Sequence, residues 1–523
     1  MSAAVLVSLG VTLGACDLNT PVFSQIEADQ FFQNEEEVLA ALAPLYANLR
    51  TVYNVNDYHA LSQVPTDETI IPTRGTDWGD GGNWLTLHFH EWTPTHPFVN
   101  IAWGTANTGI ARANGLLSSL EGAMIPNAEA TIAEVRVLRA FYYYILLDLF
   151  GRAPIIGDAE GEFVVDPNDL PPAEDRLTIF NFVETELLEA RDALPDQSDV
   201  VGRVGKDVVD AMLASLYLNA EVWTGSVGAG GLQRGTPRWA DAYERANNVI
   251  ASGRYSLDPN WQANFTPDNE GNPEHIFVVQ HLAVQGLGTN YPNRRLHYNS
   301  TEVGAWNGFS TIAETYNTFS EDDPRRDIML IGQQVNLITG EEICERPGCE
   351  AGGPPLIFTT TFEKRTDRSQ IDINDATESA GVRINKFPPD PAEVNGNHSN
   401  DFPIFRLAEM YLIRAEAGLK GNVPGSDPLG DVNTIRRRVG APELASVDEA
   451  AILDERLFEF ATEGKRRQDL IRASETLQKF QGGGNLFSRQ WEFKENTDPF
   501  RVVFPIPQDQ INANPALTQN AGY

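Results

Sequence analysis

Residues 134–154 read EVRVLRAFYYYILLDLFGRAP, and this stretch decides the architecture. Val135, Leu138, Tyr142, Ile145, Leu146 and Leu149 recur at three- and four-residue intervals, which puts them on one face of a helix predicted over 127–150. Gly151 allows the left-handed turn that ends a helix, and Pro154 cannot continue one. An apolar face of this kind must be covered by neighbours.

The same period appears on both sides of it. Over 35–53 the stripe is Val38, Leu39, Leu42, Leu45, Tyr46 and Leu49, with Asn34 as N-cap and acidic residues in the first turn. Further helices are predicted over 98–120, 178–193, 206–223 and 239–252, then over 402–420, 428–438 and 447–472. Successive antiparallel pairs imply stacked helical hairpins of the tetratricopeptide type and a mainly α fold. In 447–472, Leu453, Leu457, Phe460 and Ala461 share a face, and the dense mix of acids and arginines opposite reads as a solvated, salt-bridged surface.

Between 254 and 400 the periodicity fades, Gly, Pro, Asn and Asp rise, and short strands such as 276–280 appear. Residues 54–97 share this texture and carry Trp78, Trp84 and Trp92. The helices therefore support a loop-rich, irregular half, and long loops on a rigid scaffold carry function. Two patterns invite a metal reading. His88 and His90 would share one face of a strand, but no third ligand is placed. Asp372, Asn374, Asp375 and Glu378 alternate like a calcium loop without its turn Gly. Hydrogen-bonded histidines and a solvated acidic loop are the better readings, so no metal and no cofactor is expected.

The chain has 523 residues with 39 Lys and Arg against 73 Asp and Glu, a net charge of −34 that argues against any phosphate backbone as ligand. After the N-terminus no apolar run reaches the roughly 20 residues a spanning helix needs. Residues 3–15, AAVLVSLGVTLGA, form an apolar run of signal-peptide length. It ends in Leu13-Gly14-Ala15-Cys16, which resembles a bacterial lipobox, although no Lys or Arg precedes it. That resemblance implies removal of residues 1–15 and acylation of Cys16, and two or three acyl chains hold a domain on a bilayer. The other cysteines, Cys344 and Cys349, flank Pro347-Gly348, a turn pair that brings them within disulfide range. A bridge suits an exported protein, two free thiols on a hairpin are the alternative, and zinc lacks further ligands nearby.

Several blocks then line up in order. Ser24-Gln25, Phe31-Phe32 and Asn34 to Val38 open the chain, followed by 134–154 as quoted. Phe405-Arg406-Leu407-Ala408-Glu409-Met410-Tyr411-Leu412-Ile413-Arg414-Ala415-Glu416-Ala417 comes next, then Asn433 to Arg438, and Glu455-Arg456 leading to Glu459–Arg467 and Asp469-Leu470. Pro505-Ile506-Pro507, Asn514-Pro515 and Leu517 to Asn520 close it. Together they resemble the SusD/RagB family of nutrient-uptake lipoproteins. The resemblance implies a SusD-like N-terminal region over 16–253 with a ligand loop at 54–97, and a C-terminal RagB/SusD region over 254–523 with loop-rich 254–400 and helical 401–475. It implies four tetratricopeptide-like hairpins and anchoring at the outer membrane facing the exterior. A SusC-type TonB-dependent transporter is the implied partner. The implied ligand is an oligosaccharide, or a peptide in some members, bound without catalysis.

Sugars present flat C–H faces ringed by hydroxyls, which aromatic platforms and planar polar groups suit. By loop region, the candidates are Trp78, Trp84, Tyr291, Tyr298 and Trp306, with Asp67, Arg74, Asn83 and Arg294 as polar partners; Trp78 and Trp84 read as more exposed than Trp92. Arg139, Arg406 and Glu416 within the family blocks read as buried salt-bridge members. A surface glycosidase would need two carboxyl groups about 5–9.5 Å apart, a spacing that so acidic a chain meets by chance. No phosphate loop, nucleophile elbow or Cys–His pairing is present in the sequence.

Overall fold

The computed structural model describes residues 34–120, 127–157, 169–302, 304–346, 348–474 and 497–523. The segment 1–15, Cys16, the block at 24–32 and Pro347 lie outside the described residues. In chain order the helices are α1 (Glu35–Val52), α2 (Tyr58–Gln63), α3 (Asn83–His88), α4 (Pro97–Leu120), α5 (Ala128–Leu149), α6 (Arg176–Arg191), α7 (Lys206–Leu218) and α8 (Ala220–Trp223). They continue with α9 (Trp239–Ala251), α10 (Tyr291–Arg295), α11 (Ala313–Thr318), α12 (Leu407–Lys420), α13 (Pro428–Val439), α14 (Glu449–Phe460) and α15 (Arg466–Arg472).

The long helices stack in sequence, as their apolar stripes require: α1 lies on α4, α4 on α5, α5 on α6, α7 on α9, α9 on α12, and α12 on α13. Asn34 caps α1 by accepting from the Glu37 amide at 2.9 Å. The quoted stretch is the centre of the stack. Tyr142, Ile145, Leu146 and Leu149 of α5 are buried, and α5 ends before Gly151 at φ +66°. Helices α4 and α5 approach closely because Gly109 has no side chain; a Cβ there would fall 2.5 Å from the Tyr142 ring. The Tyr142 hydroxyl then reaches α1 and donates to the Leu45 carbonyl at 2.6 Å.

Two expectations need correction. Residues 402–420 are not one helix. Phe402–Arg406 is a strand, antiparallel to His275–Val279 with Val279 opposite Phe402, and α12 starts at Leu407. A short, wholly buried apolar run has no period to separate strand from helix. Residues 447–472 are also two helices. Thr462 (φ +70°) and Gly464 (φ +76°) break the chain between α14 and α15. The break is held from α2, where Gln63 Nε2 donates to the Thr462 carbonyl at 2.6 Å, and from Glu68, whose carboxylate accepts the Thr462 amide.

The larger correction concerns charge. The acids and arginines of α14 and α15 face inward rather than towards water. Arg406 binds Glu459 at 2.6 Å and Glu463 at 2.8 Å, and Arg325 binds Asp323 at 2.7 Å, Glu455 at 2.8 Å and Glu459 at 2.9 Å. Lys386 joins Glu463 at 2.5 Å, Arg436 joins Glu455 at 2.7 Å, and Arg438 bridges Glu274 and Glu459. Five cations thus meet five carboxylates, namely Glu274, Asp323, Glu455, Glu459 and Glu463. Burial disfavours each charged form, but the surrounding arginines more than offset it at Glu459, whose carboxyl sits far below the usual range. A second set ties α15 outward: Arg466 to Asp67, Arg467 to Asp148 of α5, and Arg472 to Glu416 of α12. Arg139, on α5, pairs with Glu186 of α6 at 2.6 Å, so Arg139, Arg406 and Glu416 are buried ion-pair members.

Removing one partner of a buried pair leaves the other charge uncompensated, at about 3–5 kcal/mol. Arg406→Ala, which leaves five buried carboxylates with four cations, is expected to cost about that much in urea unfolding at pH 7. A loss below about 1 kcal/mol would show that the network does not hold these elements together.

Candidate functional site

The aromatic loops meet where 74–84, 297–309, 344–349 and 378–383 converge. The first is wound tightly: Gly75, Trp78, Asp80, Gly81 and Gly82 all have positive φ, which for Trp78 (φ +59°) and Asp80 is strained backbone. The turn sets the Trp78 indole over Gly308, where a Cβ would come within 2.3 Å of the ring. Trp78 Nε1 donates to the Trp306 carbonyl at 2.6 Å, so the two tryptophans are tied and both are part-exposed. Trp84 and Phe309 buttress Trp78 edge-on, with centroids 5.6 and 5.8 Å from its own.

Tyr298 completes the face. Its hydroxyl donates to Asp77 Oδ2 at 2.5 Å, and the Arg346 guanidinium lies 3.7 Å above its ring centroid. Arg346 binds Asp77 at 2.9 Å through Nη2 and Glu378 at 2.8 Å through Nε, while its amide donates to Glu378 Oε2 at 2.9 Å. His297 Nε2 meets the same Glu378 oxygen at 2.8 Å. Arg346 sits inside the loop closed by the Cys344–Cys349 disulfide, whose Cα atoms are 5.1 Å apart, and Asn299 donates to the Cys344 carbonyl at 2.8 Å. Burial alone would raise Glu378, but bonds from His297 and Arg346 outweigh it and hold the carboxyl down at about 2. The Tyr298 hydroxyl, then Arg346, lower Asp77 as well, and burial keeps His297 below its ordinary value.

Several sequence candidates are not on this surface. Trp84 is 3% exposed, against Phe98 at 4.5 Å, with its Nε1 on Asp80 at 2.6 Å. Tyr291 is 1% exposed, stacked on Phe387 and Phe402 at 5.0 Å from each, with its hydroxyl on the Tyr53 carbonyl. Arg294 is buried against Tyr291 and bonded to Asn290, His59 and Tyr53. Both oxygens of Asp67 are taken by Arg466 at 2.7 Å, which leaves no carboxylate edge for a ligand. Arg74 is buried beneath the face, bonded to Ser310 at 2.8 Å and the Ala380 carbonyl at 2.7 Å. Asn83 is part-exposed but turned back onto the Asp80 carbonyl at 2.6 Å. Trp78, Tyr298 and Trp306 therefore form the face. Asp77 and Arg346, which sequence reasoning passed over, and Glu378, which it read only as part of a solvated acidic loop, surround it; the one available signal for Arg346 was its place between two close cysteines.

The metal patterns also resolve. His88 is on α3, not a strand, and His90 lies past its end at φ +58° with its ring nitrogens on Pro65 and Thr497. Asp372 accepts from the Asn374 amide and Asp375 pairs with Arg365, so these oxygens serve the hairpin itself. Roomier clefts lie elsewhere. One of about 580 Å³ runs beside Leu39, Glu134, Val200 and Arg203, and its described lining carries no aromatic ring.

Comparison with known proteins adds the following. A family model described as "SusD family" matches residues 239–523, and one described as "Starch-binding associating with outer membrane" matches 24–218. Starch-binding protein SusD of Bacteroides thetaiotaomicron is 28% identical over 511 residues, covering 91% of this chain and 85% of that protein. A SusD-like protein of Bacteroides ovatus is 27% identical over 457 residues, covering 84% and 76%. A solved SusD superfamily protein of Parabacteroides distasonis matches at TM-score 0.72 and 21% identity, covering 93% of this chain and 99% of that one. The surface glycan-binding protein A of Bacteroides thetaiotaomicron in complex with laminarihexaose matches at TM-score 0.67 and 23% identity, with the same coverage. At these identities the structural likeness shows the fold.

Because the Glu378 carboxyl is depressed from 4.5 to about 2, its stabilisation is full above pH 4.5 and is lost as pH falls towards 2. Glu378→Gln is expected to cost roughly 2–3 kcal/mol at pH 7, with the gap to wild type closing between pH 4.5 and 2 in thermal melts. A gap that does not change with pH would contradict the ion cluster.

Proposed function

The chain belongs to the SusD family, and on that premise we propose that it is a non-catalytic surface lipoprotein that captures an oligosaccharide and hands it to a SusC-type transporter in the outer membrane. The observation that carries the reading is the part-exposed face of Trp78, Tyr298 and Trp306, with the Trp78 and Tyr298 rings fixed by hydrogen bonds to a backbone carbonyl and a carboxylate. Fixed platforms bind sugar faces with little ordering cost. The structural match to a protein solved with laminarihexaose supports a glycan as the ligand class.

The pairing of acids at the face supports binding over hydrolysis. A glycosidase needs one carboxylic acid kept protonated near neutral pH, which requires a raised pKa. Asp77 and Glu378 are both shifted downward by their donors, so neither is poised to protonate a leaving group. The lipobox at Cys16 supports anchoring, since acyl chains keep a domain at a bilayer that no described helix is apolar enough to cross.

Two experiments test this. In Cys16→Ser protein released from the membrane, Trp306→Ala and Trp78→Ala are each expected to weaken oligosaccharide binding about 10- to 30-fold by calorimetry, with the Trp306→Ala melting temperature unchanged. Binding unaffected by either change would remove the aromatic face from the reading. In cells, the wild-type chain should co-purify with a large β-barrel from outer-membrane fractions and carry acyl mass at Cys16. An unmodified Cys16, or sugar turnover abolished by substituting Asp77 or Glu378, would overturn the lipoprotein or the non-catalytic part respectively.

A further inference from the structure

We propose that the saccharide taken at this face is acidic, bearing carboxylate or sulfate groups, and that Arg346 is the residue that reads them. The inference rests on the glycan-binding reading above and adds the charge of the ligand. It begins with a mismatch: a chain of net charge −34 repels anions from most of its surface, yet cations gather beneath this one face.

Arg74 and Arg383 are both buried there, and both donate to the Ala380 carbonyl at 2.7 Å. Neither forms an ion pair among the described residues. Their other bonds go to neutral groups: Ser310 for Arg74, and Asn307 and the carbonyls of Gly381 and Glu378 for Arg383. Nε and Nη1 of Arg74 and Nε of Arg383 have no hydrogen-bond partner among the described residues. In the ion network of α14 and α15 every cation meets carboxylates. Here burial lowers Arg74 only to about 10, so it keeps its proton at neutral pH. A buried cation without a counter-ion projects its field outward through low-dielectric protein.

Arg346 brings the charge to the surface. Its Nε and Nη2 serve Glu378 and Asp77, no described residue bonds Nη1, and the side chain is 47% exposed. Burial lowers Arg383 further than Arg74, and the carboxylates of Asp77 and Glu378 are bonded to Arg346 rather than to either buried arginine. Both carboxylates sit on the Nε–Nη2 edge, so the guanidinium is held flat on Tyr298 with its other end open. That arrangement presents N–H donors and a planar cation on the Tyr298 ring, bonded to Asp77 next to Trp78, which suits a sugar ring carrying an anionic substituent. Two further arginines extend the rim. Arg365, 55% exposed, lies against Gly75 and pairs with Asp375; Arg368, 52% exposed, pairs with Glu345 beside Arg346.

The test uses Cys16→Ser protein and three hexasaccharide probes: a neutral β-glucan, an oligogalacturonate and a sulfated galactan. One acidic probe is expected to bind at least 10-fold more tightly than the neutral one at 50 mM NaCl, and which of the two wins separates carboxylate from sulfate. Its affinity should fall about 10-fold by 500 mM NaCl, as screening predicts, while neutral binding holds. Arg346→Gln should erase the preference for the acidic probe. Arg365→Gln, on an exposed hairpin where folding is not at stake, should reduce the salt dependence. Neutral binding equal to or tighter than acidic, or a preference untouched by both substitutions, overturns the proposal while the glycan-binding reading stands. No binding by any probe defeats both.

Discussion

The closed balance of charge buried around α14 and α15 is the constraint on which the molecule depends. Glu459 alone accepts from Arg325, Arg406 and Arg438, which come from the 323–328 turn, the strand Phe402–Arg406 and the end of α13. Each of these ions would be costly to bury alone, so the network forms only when all the segments arrive together. It is therefore a geometric lock more than a source of net stability. The sets around Arg466, Arg467 and Arg472 extend the lock to Asp67, to α5 and to α12, so the irregular loops are fixed to the helical stack by directed bonds.

That lock explains how long loops without regular structure hold a defined face. Residue 67, at the entry of the tryptophan-bearing loop, is clamped by Arg466, and α2 before it grips the break at Thr462. Beyond this anchor the loop runs through strained residues to Trp78, and the 297–309 loop comes up beneath it through Trp306 and Gly308. Strain of about 1–3 kcal/mol per residue persists only where surroundings over-determine it. Here the surroundings are Phe309, Trp84 and the bond to the Trp306 carbonyl. The disulfide serves the third loop similarly, closing a small ring that holds Arg346 over Tyr298. Ligand binding would then spend little free energy on ordering the site.

The aromatic candidates divide by a rule that sequence does not contain. Trp78 and Trp84 sit in the same Gly- and Asp-rich context, yet one is part-exposed and the other fills the space between Trp78, Phe98 and Phe309. Tyr291 opens α10 and Tyr298 lies just past its end, yet Tyr291 joins a stack with Phe387 and Phe402 while Tyr298 is part-exposed. Which ring is exposed and which is buried depends on partners from other segments, such as Phe309 for Trp84 and Phe402 for Tyr291.

Sequence by itself determined the helical stack. The stripe on α5, the Asn34 cap and the Gly151 stop are local, because helix periodicity and capping act over a few residues. The ordered blocks likewise placed the chain in its family, and within those blocks Arg139, Arg406 and Glu416 could be read as buried ion-pair members. Tertiary structure alone decided that the charges of α14 and α15 face inward, that Phe402–Arg406 is a strand, and that Asp77, Arg346 and Glu378 meet around Tyr298. Each of these depends on partners distant in the chain: Arg406 on Glu459, Phe402 on Val279, Arg346 on Asp77. A charged residue carries no local mark of whether its counter-ion or water will neutralise it, and only the folded chain brings that counter-ion near.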